Sequence, residues 1–226
     1  MNLVIPEITV KVQKINNQHY GDHSLDSISG AGKVRNPKLA FIFINPTHRN
    51  ISTRKEWAGL KAPWIGCSNI WNLFADAGLI NKSINKEIQH AKTSWSYDFT
   101  NKVYSHVAER NLYITNTVKW AGLDAKLPER KKIDIYMPLL IEELTLLAPQ
   151  KIIAFGQLTF DALLRNLKLE KTKFGEINEM TLNTNQLYYV DSKIGPIVPC
   201  YFPVGQGIKN KDKAIKILKI ANSTSC

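Results

Sequence analysis

Four stretches of this chain place polar residues, proline and glycine directly after a short apolar run, the position where an α/β protein keeps its chemistry. They are Asn45-Pro46-Thr47-His48, Asn116-Thr117-Val118-Lys119-Trp120, Gly156-Gln157 and Phe202-Pro203-Val204-Gly205-Gln206-Gly207. In an open parallel sheet, ligands bind beyond the carboxyl ends of the strands, so four such tips converge on one crevice. The carboxamides Asn45 and Asn116 each offer a donor and an acceptor and cannot take up a proton near neutral pH, so they suit orienting and reading rather than proton transfer. The same residue types also serve plain strand-to-helix turns, where backbone geometry alone selects them. No Gly-x-Gly-x-x-Gly turn or Walker lysine loop follows any run, which weighs against a nucleotide-handling Rossmann-like enzyme.

The elements that must hold these tips are legible as patterns. Residues 39–44, 112–115, 151–155 and 197–201 are short, apolar and without a consistent polar face, as expected of strands buried on both sides of a parallel sheet. Between them, Ile70, Leu73, Phe74 and Ala77 follow helical spacing, with Ser68 or Asn69 as cap and Gly78 as stop. Pro138 is expected in the first turn of a helix carrying Ile141, Leu144 and Leu147, with Pro149 just beyond its end. Ala214, Ile217 and Leu218 form the apolar stripe of a final helix whose other face carries Lys209, Lys213 and Lys216. Residues 1–37, rich in turn formers such as Gly21, Asp22, Gly30 and Gly32, predict an irregular lead-in with at most one short helix. Residues 168–191 predict an exposed polar excursion, with Asn183, Thr184 and Asn185 as a candidate hairpin turn. The order of elements implies a three-layer α/β/α fold with a short, mainly parallel sheet, in one domain spanning 1–226.

Composition narrows the partner. Thirty Lys and Arg against 19 acidic residues give a formal charge of +11, a surplus that draws a protein toward polyanions, nucleic acid foremost. Cys67, Cys200 and Cys226 are too few and too scattered for a disulfide framework or a metal knuckle. No apolar run reaches the roughly 18 residues of a membrane span and the first residues lack signal-peptide character, so a cytoplasmic protein without membrane contact is expected.

Taken together, in this order and spacing, the tips resemble the uracil-DNA glycosylase superfamily from about residue 41 to 216. Tyr113-Ile114-Thr115-Asn116-Thr117-Val118-Lys119-Trp120 and residues 144–164 are similar to the archaeal and thermophilic branch, whereas Phe43-Ile44-Asn45-Pro46 is similar to the first motif of mismatch-specific and single-strand-selective members. The resemblance implies a monofunctional glycosylase that extrudes a pyrimidine from DNA and hydrolyses its glycosidic bond. Asn45 then falls at the catalytic position, its amide oxygen holding a water against the sugar carbon, with Pro46 stiffening the turn and His48 near a phosphate or the sugar. Thr47 stands where strict uracil enzymes carry a Tyr that blocks carbon-5 substituents. Trp64, within Ala62-Pro63-Trp64-Ile65-Gly66, matches the aromatic that stacks on the base, and Asn116 matches the Asn that reads its Watson–Crick edge; a core Trp and a turn Asn are the plainer readings.

The likeness breaks in the final loop. Relatives commonly read His-Pro-Ser or Asn-Pro-Ser followed by a small residue and a Leu wedge, but here Phe202 replaces the donor and Gln206 takes the wedge slot. A phenyl ring cannot stabilise charge on a departing base by conventional hydrogen bonding. The resemblance implies uracil as the default substrate, while Thr47, Phe202 and Gln206 together point to a base with a carbon-5 substituent, such as an oxidised or hypermodified cytosine in foreign (phage) DNA, as the alternative. A non-catalytic damage-binding module is the alternative from another class. Lys119, Gly205, Gln206, Gly207, Lys209 and Lys211 are expected at the DNA backbone, although solvated lysines are the plainer reading. The branches that bear an iron-sulfur cluster hold it with four cysteines; with three, none grouped near the expected N-terminal positions, this chain is expected to hold no cluster, no other cofactor and no metal. No obligate protein partner is expected.

Overall fold

The computed structural model describes residues 2–20, 24–122 and 126–224, excluding the side chains of Tyr20 and Gln206; Gly21, Asp22 and Cys226 lie outside the described residues. A five-stranded sheet runs β1 (Ala31–Gly32), β3 (Leu112–Asn116), β2 (Leu39–Phe43), β4 (Lys151–Phe155) and β5 (Ile197–Cys200) across its width. The pairs β2–β3, β2–β4 and β4–β5 are parallel and only β1 is antiparallel, to β3. The four parallel strands are those expected, and all their residues are buried because helices cover both faces.

Alternation along the strands sorts the core into two halves. Leu39, Phe41, Phe43, Leu112, Ile114, Ile153, Phe155, Val198 and Cys200 face α2 (Asn69–Asp76), α3 (Lys82–Ala91), α4 (Tyr97–Glu109) and α8 (Lys211–Ser223). Ala40, Ile42, Tyr113, Ile152, Ala154 and Ile197 face α1 (Pro6–Tyr20), α5 (Arg130–Leu147), α6 (Gln157–Asn166) and α7 (Phe174–Thr184). These are the three layers.

Three expectations are corrected. The lead-in holds a 15-residue helix, α1, started by Pro6 and anchored by buried Ile8 and Val12 one turn apart. Its β-branched residues argue against a helix locally; packing against α5 outweighs them. Pro138 lies inside α5, two turns past its start, because the buried stripe Ile133, Tyr136, Met137, Leu140 begins well before it. The bond Pro138 deletes is to Asp134, on the exposed side where water can serve the carbonyl. The supposed excursion contains α7, whose Phe174 is buried edge-on to Phe160 and Tyr201 at centroid distances of 5.9 and 5.6 Å. Asn185 adopts the left-handed conformation (φ 57°) as the C-cap of α7; asparagine is chosen for that conformation in helix caps and in hairpin turns alike, hence the misreading.

Candidate base-binding site at the carboxyl edge of the sheet

The first two tips are joined backbone to backbone beyond the ends of their strands. Thr117 N donates to Phe43 O (2.7 Å), Val118 N to Ile44 O (2.9 Å), Gly122 N to Pro46 O (3.2 Å) and His48 N to Gly122 O (3.1 Å). A parallel bridge between Thr47 and Gly122 continues the register. The loops carrying Asn45 and Asn116 are therefore an extension of the sheet.

Each of the two amides has something left to give. Asn45, half-buried, donates through Nδ2 to Pro46 O at 3.1 Å, which leaves Oδ1 with no partner among the described residues. Asn116 is 2% exposed, yet its carboxamide has no hydrogen-bond partner among the described residues. The little exposed surface it keeps leaves its donor and acceptor free for a ligand offering complementary groups. The strand alternation puts Asn116 on the side of Ile114, Phe43 and Trp64.

Trp64 stands on an unusually constrained support. Its own φ is +64°, a conformation that bulky residues adopt only when the surroundings force it, at about 1–3 kcal/mol. Every carbonyl from Ala62 to Ile65 is held: Ala62 O by Asn50 Nδ2 (2.8 Å) and Ser52 Oγ (2.9 Å), Pro63 O by the Tyr104 hydroxyl, Trp64 O by Trp71 Nε1 (3.1 Å) and Ile65 O by Ile51 N (3.0 Å). Asn50, Ser52, Trp71 and Tyr104 are buried, so the support is dry. The sequence reading missed these four, because buried partners drawn from distant elements leave no local motif. The Trp64 ring meets Phe43 edge-on at 4.9 Å, and its buried Nε1 has no partner.

Aromatic rings continue across the edge. Phe43 stacks on Phe155 at 4.5 Å, and Phe202 meets Phe43 edge-on at 6.5 Å. Gly207 makes room for this loop: a Cβ there would stand 2.0 Å from Phe202 O. Its lack of side chain is required by its own neighbour, whether or not DNA approaches. Gly205 (φ +58°) adopts the left-handed turn. Gly156, φ +83°, donates its N–H to Cys200 O at 2.8 Å, and a Cβ added there would meet Phe202 at an ordinary 3.7 Å.

The remaining predicted residues divide. Pro46 is buried, Thr47 half-buried and His48 exposed at the rim. Lys209 is exposed, while Lys211 is half-buried and ion-paired with Asp76 at 2.9 Å. The expectation that Lys119 reaches a phosphate is overturned: its side chain has no exposed surface and pairs with equally buried Glu143 at 2.5 Å. A lysine in a strand-end motif has the stem length to turn back under the sheet, and a buried carboxylate draws it there. Ile208, 58% exposed on the same loop as Phe202, is an apolar rim residue that the sequence reading missed. Gln206 has a described backbone only.

The two described cysteines, Cys67 and Cys200, do not supply a thiolate nucleophile. Burial pushes the Cys67 thiol up to about 11 against the opposing pull of Arg49, and burial also raises Cys200, so both stay protonated. Among the described residues no three His, Cys, Asp or Glu side chains come together as metal ligands. Cavities of about 270 and 240 Å³ are lined by residues of α3 and α4 and by residues of α1 with Ser29 and Lys61, and neither lining includes Asn45, Trp64 or Asn116. The edge thus carries an aromatic surface at Trp64 and free amide groups at Asn116 and Asn45 Oδ1.

The sequence profile of the Uracil DNA glycosylase superfamily matches residues 29–221. A type-4 uracil-DNA glycosylase from Pyrobaculum aerophilum is 30% identical over 71 residues, covering 31% of this chain and 36% of that protein. The aligned stretch thus spans about a third of that relative's length.

Proposed function

The chain belongs to the uracil-DNA glycosylase superfamily, and from that premise we propose that it is a monofunctional DNA glycosylase acting on an everted pyrimidine. The observation that carries this reading is the unpaired carboxamide of the largely buried Asn116, on a strand end zipped to the Asn45 loop and paired with Phe43, whose ring meets the rigidly held Trp64. The base stacks on Trp64 while Asn116 pairs with its edge. Asn45 Oδ1 accepts a hydrogen bond from one water, whose oxygen bonds to C1′ as the C1′–N1 pair leaves with the base. The water's proton ends on the base, giving an abasic site and a free pyrimidine. Asn45 orients and does not deprotonate.

Uracil is the default substrate. Thr47 at half-burial and the all-carbon ring of Phe202 support a wider class, cytosine or uracil carrying a carbon-5 substituent, which extends to hypermodified foreign DNA and a defence role. Ile208 beside exposed Lys209 suits the gap left in the stack better than Gln206 does, an apolar wedge next to a phosphate contact.

The test is base release from duplexes containing uracil, mismatched thymine, hydroxymethylcytosine or glucosylated hydroxymethylcytosine. The expected result is an abasic product that disappears in Asn45→Ala while duplex affinity persists. Release from uracil alone overturns the wider substrate class. Damage-selective binding without product anywhere supports the reader that Phe202, lacking a hydrogen-bonding group, would also suit.

A further inference from the structure

Directly behind Asn116, on the opposite face of the sheet, lies a polar network that the proposed chemistry does not use. Glu143 of α5 accepts from the Tyr113 hydroxyl at 2.8 Å, from the Thr115 hydroxyl at 3.1 Å and from Lys119 Nζ at 2.5 Å; Lys119 also donates to Thr115 Oγ1. Glu143, Tyr113, Thr115 and Lys119 are all fully buried. Gly30 closes over them so tightly that a Cβ there would stand 2.5 Å from both Glu143 Oε1 and the Tyr113 oxygen.

The network brackets one residue. Thr115 precedes Asn116 and Lys119 follows it by three, so Glu143 grips the backbone on both sides of the unpaired carboxamide. The strap formed by residues 28–30 then joins this loop to the other: Ile28 N donates to Lys119 O at 3.0 Å and Ser29 N to Lys61 O at 3.2 Å. Lys61 immediately precedes the held carbonyls under Trp64. A buried ion pair is no better for stability than apolar groups of the same shape, but a carboxylate fixed by three donors admits one arrangement only.

We infer that the Lys119–Glu143 pair, braced by Tyr113 and Thr115, is a positioning device that sets the Asn116 carboxamide relative to the Trp64 platform and itself touches no substrate. Its catalytic consequence rests on the reading of Asn116 as the base-recognising group; its geometric consequence does not.

The experiment uses the full chain with Lys119→Met/Glu143→Gln, which removes both charges while Gln retains an oxygen for Tyr113 and Thr115. The first readout is single-turnover base release. The double variant is expected to keep its affinity for undamaged duplex but to lose about tenfold to a hundredfold in rate, the scale on which a displacement of about 1 Å acts. In that background Asn116→Ala is expected to cost much less than in the native chain. An undiminished Asn116→Ala effect overturns the proposal, since a merely structural pair leaves that effect intact.

The second readout is independent of activity: the side-chain amide signal of Asn116 in a 15N-labelled protein, assigned by its loss in Asn116→Ala. It is expected to shift or broaden in the double variant while that of remote Asn166 stays put; an unmoved Asn116 signal overturns the proposal. If the native protein releases no base, the glycosylase reading fails, and this signal still decides the positioning role. Should the double variant fail to fold, Tyr113→Phe removes a single donor at nearly constant volume, with the same signal as the criterion.

Discussion

Replacing Lys119 by Met should be among the most damaging single changes in this protein although it touches no proposed ligand. Both partners of the Lys119–Glu143 pair have side chains with no exposed surface, so neither charge has water to fall back on. Met retains most of the stem, and the loss is therefore of charge rather than of packing. Glu143 would keep the Tyr113 and Thr115 hydroxyls, neither of which neutralises it. Stranding a buried charge in this way costs about 3–5 kcal/mol. For a chain of this size a loss of 1 kcal/mol lowers Tm by about 2–4 °C, so Lys119→Met should lie about 6–20 °C below the native protein. Adding Glu143→Gln should return most of the loss, because the second change removes the stranded charge and leaves an acceptor for both hydroxyls. Urea unfolding of the native protein, both single variants and the double variant closes the cycle, with m checked for constancy. A single-variant loss below about 1 kcal/mol, or a double variant no better than Lys119→Met, would refute the burial argument and return Lys119 to the surface, where a phosphate role is open to it.

Other expectations are as direct. Trp64→Ala should weaken capture of the everted base by about 1–3 kcal/mol, the usual worth of one aromatic stack, whereas Trp64→Phe should keep most of it; binding to duplex containing a non-cleavable substrate analogue distinguishes them. Gly207→Ala should cripple base release, since its Cβ would meet backbone at 2.0 Å; Gly78→Ala, where nothing lies within 4 Å, should cost only the roughly 1 kcal/mol of its positive φ, and parallel melting and activity curves compare the two. Neutral His106 accepts from Asn81 N at 3.1 Å, and burial lowers its pKa against the pull of Glu109 while Arg110 adds to the lowering. The unfolded chain therefore binds this proton more readily, so the contribution is whole above about pH 6.5 and declines as pH falls toward the lower folded value. His106→Gln should flatten that part of a Tm-against-pH curve.

What could be seen in the linear chain was whatever local physics dictates. Four buried strands announced themselves because residues covered on both faces have no polar alternation to confuse, and the Asn, Pro and Gly that end them mark the tips where ligands gather. Helices whose evidence was distributed fared worse. In α1 the β-branched residues argued locally against the helix that packing on α5 secures, and in α7 one asparagine fitted two kinds of turn equally well. Asn45, Trp64 and Asn116 were nameable as site residues through the resemblance of their motifs to a family. Their supports were not, since Asn50, Ser52, Trp71 and Tyr104 come from separate elements and act only through carbonyls that folding brings within reach. Lys119 is the plainest case. Sequence determines that a long cation follows Asn116 by three residues, but only the tertiary structure decides whether that cation meets solvent or a carboxylate from α5, because burial is a property of neighbours that the chain brings together from far apart.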